Sequence, residues 1–412
     1  MLKKISVQQL SVGMHIKEFC GSWMEHPFWR TSFVIFDPKD IRTIQASSIQ
    51  AVWIDTAKGL DVPAGEQVVS EAQSDAQVEA ELRQVAQTER ATAPVSVAAE
   101  MQRAARICAR SKQAVLSMFQ EARMGKTVDA LGAQRLVEEI SDSVLRNGSA
   151  LISLARLKTA DDYTYMHSVA VCAMMIALAR QLGLDEEQVR LAGLAGLLHD
   201  LGKALIPAEI LNKPGKLTDA EFTIIKSHPV HGHKMLLAAS QVHPLVLDVC
   251  LHHHEKTDGS GYPGRLKNEE ISLFAKMGAV CDVYDAISSN RPYKTGWDPA
   301  ESLHKMAGWA AGHFDQKVFQ GFVKSLGIYP IGSLVRLSSG RIGVVMEQTG
   351  KSLTTPRVKV FYSTKSNLRI APEVIDLALP TCHDKIAGRE DPDHWQFPDL
   401  KELWSGLPGT PG

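Results

Sequence analysis

Val189-Arg190-Leu191-Ala192-Gly193-Leu194-Ala195-Gly196-Leu197-Leu198-His199-Asp200-Leu201-Gly202-Lys203 is the stretch that decides how this chain is read. Apolar side chains surround nearly the whole circumference of a helix here, as in a helix enclosed by other helices. It runs into an imidazole and a carboxylate, and Gly202 can stop it. Met166 to Leu184 has the same texture and carries His167 near its start. Apolar residues at helical spacing begin at Ala104, Ala105 and Cys108, recur at Val115, Met118 and Phe119, and continue to about Leu326. The fold class expected is therefore mainly α, a helical bundle.

The polar residues of that bundle are unusual in kind. The chain has fifteen histidines, and nine of them fall between residues 160 and 290. His167 and His199-Asp200 are followed by His228-Pro229, by His252-His253-His254-Glu255, and by Asp282 within Val280-Cys281-Asp282-Val283-Tyr284-Asp285. Imidazoles and carboxylates on apolar helices are costly to bury unless something satisfies them. A divalent ion does so, and mixed nitrogen and oxygen donors suit iron, manganese or zinc. A bundle interior, with ligands from facing helices, is a usual place for such a site. A single histidine on an apolar face is ordinarily a satisfied core residue, and His231, His233, His243 and His252 are read that way. His167, His199, Asp200, His228, His253, His254 and Asp282 are too many for one ion but suit two that share a carboxylate, with Asp200 a natural bridge.

His199-Asp200-Leu201-Gly202-Lys203, together with His253-His254-Glu255-Lys256-Thr257-Asp258-Gly259-Ser260-Gly261-Tyr262-Pro263, closely resembles the HD-GYP family. The resemblance runs from about Asp162-Tyr163-Thr164 to Tyr329-Pro330. It takes in Leu211-Asn212-Lys213-Pro214-Gly215-Lys216-Leu217-Thr218, His228-Pro229 and Arg291-Pro292-Tyr293. Gly21 to Trp29 also looks like an uncharacterised domain that often precedes such modules. The resemblance implies an HD-type helical bundle and an enzyme that cleaves cyclic di-GMP to pGpG, with continuation to GMP left open. It implies metal ligation by the seven residues just named, with a water shared by the two ions as nucleophile. The ions expected are iron or manganese, with zinc, magnesium, nickel and cobalt as further options. Lys203 is expected to bring a cation to the phosphate, Arg291 and Lys294 to grip phosphates or guanine edges, and Asp285 to orient ligand or water. Tyr262 would stack on or hydrogen-bond the substrate, and its Gly261-Tyr262-Pro263 loop is associated with partner GGDEF domains. Some members add a third metal through a glutamate one turn before the first histidine. That position here is Tyr163, so two ions are expected. The alternatives are an HD phosphohydrolase for another nucleotide, or a non-catalytic sensor of cyclic di-GMP or a protein partner.

Outside the bundle the texture changes. Val12 to Phe19, Phe33 to Phe36 and Val52 to Asp55 read as strands of a small N-terminal domain, residues 1–60, which holds three of the seven tryptophans. Residues 61–100 lack aromatic residues and set eight acids against two arginines, which reads as a flexible acidic linker. Connecting helices are expected over 101–147, the metal-dependent domain over 148–330, a short β-meander with its extension over 331–385, and a loose tail over 386–412. The total of 45 Lys+Arg against 46 Asp+Glu leaves no broad field for polymeric nucleic acid or an anionic membrane. No apolar run suits a membrane span, no signal peptide opens the chain, and the six cysteines are scattered, so a cytoplasmic location is expected. Gly125-Lys126-Thr127 imitates the end of a P-loop, but position 120 is Gln and no strand precedes it. The oligomeric state stays open.

Overall fold

A computed structural model of the chain describes residues 1–21, 28, 32–47, 49–63, 66, 68–86, 94–127, 129–158, 163–213, 215, 217–239, 242–290, 296–350 and 352–407. The N-terminal unit is an antiparallel sheet with spatial order Phe33–Val34, His15–Cys20, Ala51–Asp55, Leu2–Ser6, Val69–Ser70. Alternation along Ala51–Asp55 buries Val52 and Ile54 on one face, where they meet Ile5, Ile16, Phe19 and Ile44 of the Pro38–Gln45 helix.

The bundle is built around Tyr163–Gln181, a helix buried on almost every side. Glu186–Leu198 packs along it and begins at an Asp185 cap whose carboxylate accepts from the Gln188 backbone. Small residues set that approach: a Cβ at Gly196 would stand 3.0 Å from the Cys172 backbone. Behind this pair lie two long helices, Val97–Arg123 and Ala130–Arg156, and in front lie His228–Ala238, Pro244–His252 and Leu273–Ser288. The expected boundary at 147/148 falls inside Ala130–Arg156, at Asn147, whose φ of −163° and ψ of 94° interrupt the helix. Val97–Arg123 and Ala130–Arg156 share one continuous core with the later helices.

A second antiparallel sheet, in order Ile386–Arg389, Leu334–Leu337, Arg341–Glu347, Arg357–Ser363, Leu368–Asp376, supplies the expected C-terminal β unit. Two expectations about the flanks are corrected. Residues 61–100 contain a strand pairing and a 16-residue helix, Glu71–Ala86, that buries Val78, Leu82, Val85 and Ala86. Those four positions recur at helical spacing, a stripe that average composition conceals. The helix is also held by Asp75 on His304 Nε2 at 3.0 Å and Glu79 on Arg389 Nη1 at 3.0 Å. The tail is likewise ordered through 407: Ile386–Arg389 extends the sheet, and Trp404 of the Leu400–Ser405 helix is buried. Among the described residues no helix is long and apolar enough to cross a membrane.

Candidate metal centre

Three of the centre's histidines are oriented by a backbone carbonyl three or four residues earlier in the chain. His199 caps Glu186–Leu198 and donates Nδ1–H to the Gly196 carbonyl at 2.7 Å. His228 opens its helix and donates to the Ile225 carbonyl at 2.7 Å. His253 donates to Val249 and Cys250 carbonyls, both at 3.1 Å. A carbonyl can only accept, so these three rings carry hydrogen on Nδ1 and turn the Nε2 lone pair inward. His167, one turn into Tyr163–Gln181, places Nδ1 on Asp285 Oδ2 at 2.6 Å.

Two groups of donors result. His167, His199 and Asp282 offer atoms that lie within 4.8 Å of one another, as do Asp200, His228, His253 and His254. Asp200 joins the groups. Its Oδ1 faces His228 Nε2 at 3.1 Å and His253 Nε2 at 3.8 Å, while its Oδ2 faces His167 and His199 Nε2, each at 3.4 Å. Asp282 spans less: Oδ1 lies 3.0 Å from His167 Nε2 and Oδ2 3.6 Å from His254 Nδ1.

The donors fit divalent cations. His199 Nε2, Asp200 Oδ1 and Asp282 Oδ2 are buried and make no hydrogen bond, an arrangement that costs free energy unless another species engages them. Burial holds His228 and His253 below the ordinary histidine range and His254 down at about 3, so these rings are neutral and able to ligate. Burial opposes ionisation of Asp200, yet Lys203, His199 and His167 hold its carboxyl well below the usual range. At His167 burial opposes protonation, but Asp200, Asp282 and Asp285 push the ring up to about 10. Three carboxylates around one ring make a field that strongly favours positive charge.

The remaining site residues fall in different places. Lys203, in the short 3-10 turn Leu201–Leu205, sets its ammonium on Asp200 Oδ2. Tyr262 stacks on the His254 ring, centroids 4.7 Å apart and planes at 25°. Asp285 is buried behind His167, where Ser289 Oγ donates to Oδ1 at 3.1 Å and Lys158 binds Oδ2, so its expected contact with ligand is corrected. Helical phase placed it one turn past Asp282 but could not reveal which groups surround it. Arg291 and Lys294 lie outside the described residues, as do Trp23, His26 and Trp29. His231, His243 and His252 make local contacts, such as His252 on Asp248 at 2.8 Å and His243 accepting from the Leu245 backbone at 3.2 Å.

Sequence reading missed two residues. Lys158 touches Asp285 from far away in the chain and leaves no local signal. Glu255 follows His254 directly in the chain, where no local signal shows what its carboxylate holds. Its buried carboxylate accepts from the backbone N–H of Gly264 at 2.5 Å and of Leu266 at 3.0 Å, and so ties the glycine-rich loop down beside His254. Gly261 closes the same turn, since a Cβ there would stand 2.5 Å from the Glu255 Cα. Glu255→Gln would present an amide N–H to one of these donors and orphan it. The expected cost is about 1–3 kcal/mol of loop anchoring, read as faster amide exchange at Gly264 and Leu266 with the bundle's exchange unchanged.

The comparisons with known proteins agree with this geometry. A family described as HD domain matches residues 146–318, and one described as Domain of unknown function (DUF3391) matches residues 2–133. The chain is 54% identical over 413 residues to the cyclic di-GMP phosphodiesterase PA4108 of Pseudomonas aeruginosa, covering 100% of this chain and 98% of that one. It is 37% identical to the cyclic di-GMP phosphodiesterase response regulator RpfG of Xanthomonas campestris pv. campestris, over 46% of this chain and 51% of that one. It is 35% identical to the 3'3'-cGAMP-specific phosphodiesterase 1 of Vibrio cholerae, over 40% and 38%. The histidine–aspartate centre, the Gly261-Tyr262-Pro263 loop and a likeness running the whole length of one such relative place this chain in the HD-GYP family of HD-domain proteins.

Proposed function

We propose that this protein is a metal-dependent phosphodiesterase that opens cyclic di-GMP to pGpG, with iron or manganese as the ions. The observation that carries the reading is Asp200, whose two oxygens face separate sets of imidazoles. His167, His199 and Asp282 would hold one ion with Asp200 Oδ2, and His228, His253 and His254 the other with Oδ1. Ions held there would supply an activated water and charge neutralisation at the phosphate oxygens. Attack on phosphorus breaks one P–O3′ bond, and the released 3′ oxygen takes a proton.

The chain's own residues do the rest. The Nδ1–H bonds to backbone fix the ring orientations of His199, His228 and His253, so the nitrogens need no reorganisation on binding. Lys203 brings positive charge to the edge of the centre, toward the phosphate. Tyr262 flanks His254 and offers a face to a base. Tyr163 occupies the position at which a third ion would need a carboxylate, which supports two ions rather than three. The Gly261-Tyr262-Pro263 loop, anchored through Glu255, is also the proposed contact for GGDEF-domain partners. Six free cysteines support a cytoplasmic location.

A second reading, turnover of another cyclic dinucleotide, is favoured by the likeness to a 3'3'-cGAMP-specific enzyme. A panel of cyclic di-GMP, 3'3'-cGAMP and linear dinucleotides against iron- and manganese-loaded protein separates the two. Cyclic di-GMP is expected to have the highest kcat/KM, and a higher value for 3'3'-cGAMP would replace the first reading by the second. Tight cyclic di-GMP binding without hydrolysis under both metals would instead leave a sensor. In the same assay Tyr262→Ala is expected to raise KM about tenfold, consistent with roughly 1–3 kcal/mol for stacking one base, while Tyr262→Phe keeps KM within about twofold.

A further inference from the structure

The Lys158 side chain is fully buried just beyond the end of the Ala130–Arg156 helix, and its ammonium bonds Asp285 Oδ2. The same Oδ2 receives His167 Nδ1 at 2.6 Å. The Lys158 Nζ also lies 5.3 Å from the centroid of the Tyr163 ring, and that ring stacks on His167 at 5.7 Å with planes 11° apart. One cation therefore holds both groups that fix the His167 imidazole, one at Nδ1 and one on its face.

The charges explain why a lysine stands there. Asp200, Asp282 and Asp285 all approach the His167 ring. Asp200 and Asp282 turn toward the centre, whereas Asp285 binds from behind. A buried carboxylate without a cation of its own is costly, and so is a buried ammonium. Paired, they keep Asp285 anionic and ready to accept the His167 Nδ1–H, which aims Nε2 between Asp200 and Asp282.

We propose that Lys158 is a positioning residue for the metal centre, acting on His167 through Asp285 and Tyr163. The proposal rests on the two-ion reading given above. It also assigns the residues just after the Ala130–Arg156 helix a part in building the site.

The test is Mn²⁺ binding by chelator competition on the full chain, with circular dichroism as a check on the fold. Wild type is expected to bind two ions. Lys158→Met is expected to weaken one of them by about 10–100-fold, the usual effect of losing a group that orients a ligand, and Lys158→Arg to restore affinity to within a few fold. Asp285→Asn should show the same loss. Adding Lys158→Met to Asp285→Asn should cost less than a further tenfold, because the larger part of the Lys158 effect runs through the Asp285 ion pair. Two ions bound by Lys158→Met with wild-type affinity would overturn the proposal, and so would a further tenfold loss in the double variant. If Lys158→Met does not fold, Lys158→Gln, which keeps a donor but no charge, is read instead: weakening sustains the proposal and wild-type affinity overturns it. Wild-type protein that takes up no Mn²⁺ would count against the two-ion reading itself, not against Lys158 alone.

Discussion

Asp200→Ala is expected to abolish phosphodiester hydrolysis and to lose most of the bound metal while the helices stay folded. Asp200 is the one side chain among the described residues with oxygens directed at four inward-facing imidazoles, His167, His199, His228 and His253. Asp282 approaches both sets but meets only His254 on the second side, so it offers a weaker replacement. Charge stabilisation by bound ions is worth several kcal/mol, and about 4 kcal/mol corresponds to roughly a thousandfold in rate. A fall in kcat of at least about that size is therefore expected. The Asp200 side chain caps no helix, so little secondary structure depends on it. Metal content by elemental analysis, turnover and far-ultraviolet circular dichroism check the three parts. Wild-type metal content together with wild-type turnover in this variant would be incompatible with a shared carboxylate.

Gly202→Ala is expected to destabilise the protein by about 3 kcal/mol, the upper range for forcing atoms into a packed interior, and to weaken the ion assigned to His228, His253 and His254. A Cβ at position 202 would stand 1.9 Å from the His228 carbonyl oxygen and 2.5 Å from the Gly232 backbone nitrogen. Both obstacles are backbone, so the His228–Ala238 helix must move, and it carries the imidazole that lies 3.1 Å from Asp200 Oδ1. Gly308→Ala is the control: the nearest atom to its Cβ is 3.9 Å away, and alanine is the better helix former. The denaturant midpoint should drop for Gly202→Ala and hold or rise for Gly308→Ala. Equal midpoints, with equal Mn²⁺ affinity, would contradict the close approach.

Much of the bundle was legible because its helices announce themselves one at a time. Tyr163–Gln181 and Glu186–Leu198 are apolar on nearly every side, and such a helix has few environments open to it other than other helices. The acidic segment was misread for the opposite reason. Val78, Leu82, Val85 and Ala86 form a stripe narrow enough to vanish in an average, and its worth depends on a partner surface found elsewhere in the chain. The tail was misread in the same way: Trp404 is buried, and Lys359 donates to the Leu403 carbonyl at 2.6 Å, a contact made across 44 residues of sequence.

The sequence by itself picked out the candidate donors that the structure brings together, because imidazoles and carboxylates on apolar helices leave few ways to be satisfied, and each such residue can be recognised from its own neighbours in the chain. Tertiary structure alone decided how those donors divide, which oxygen of Asp200 meets which ring, and that Asp285 turns to Lys158 and His167 instead of to ligand. Side-chain type and helical phase are local properties. The direction of a carboxylate inside a bundle follows from the charges other helices bring beside it, and Lys158 reaches Asp285 from 127 residues away.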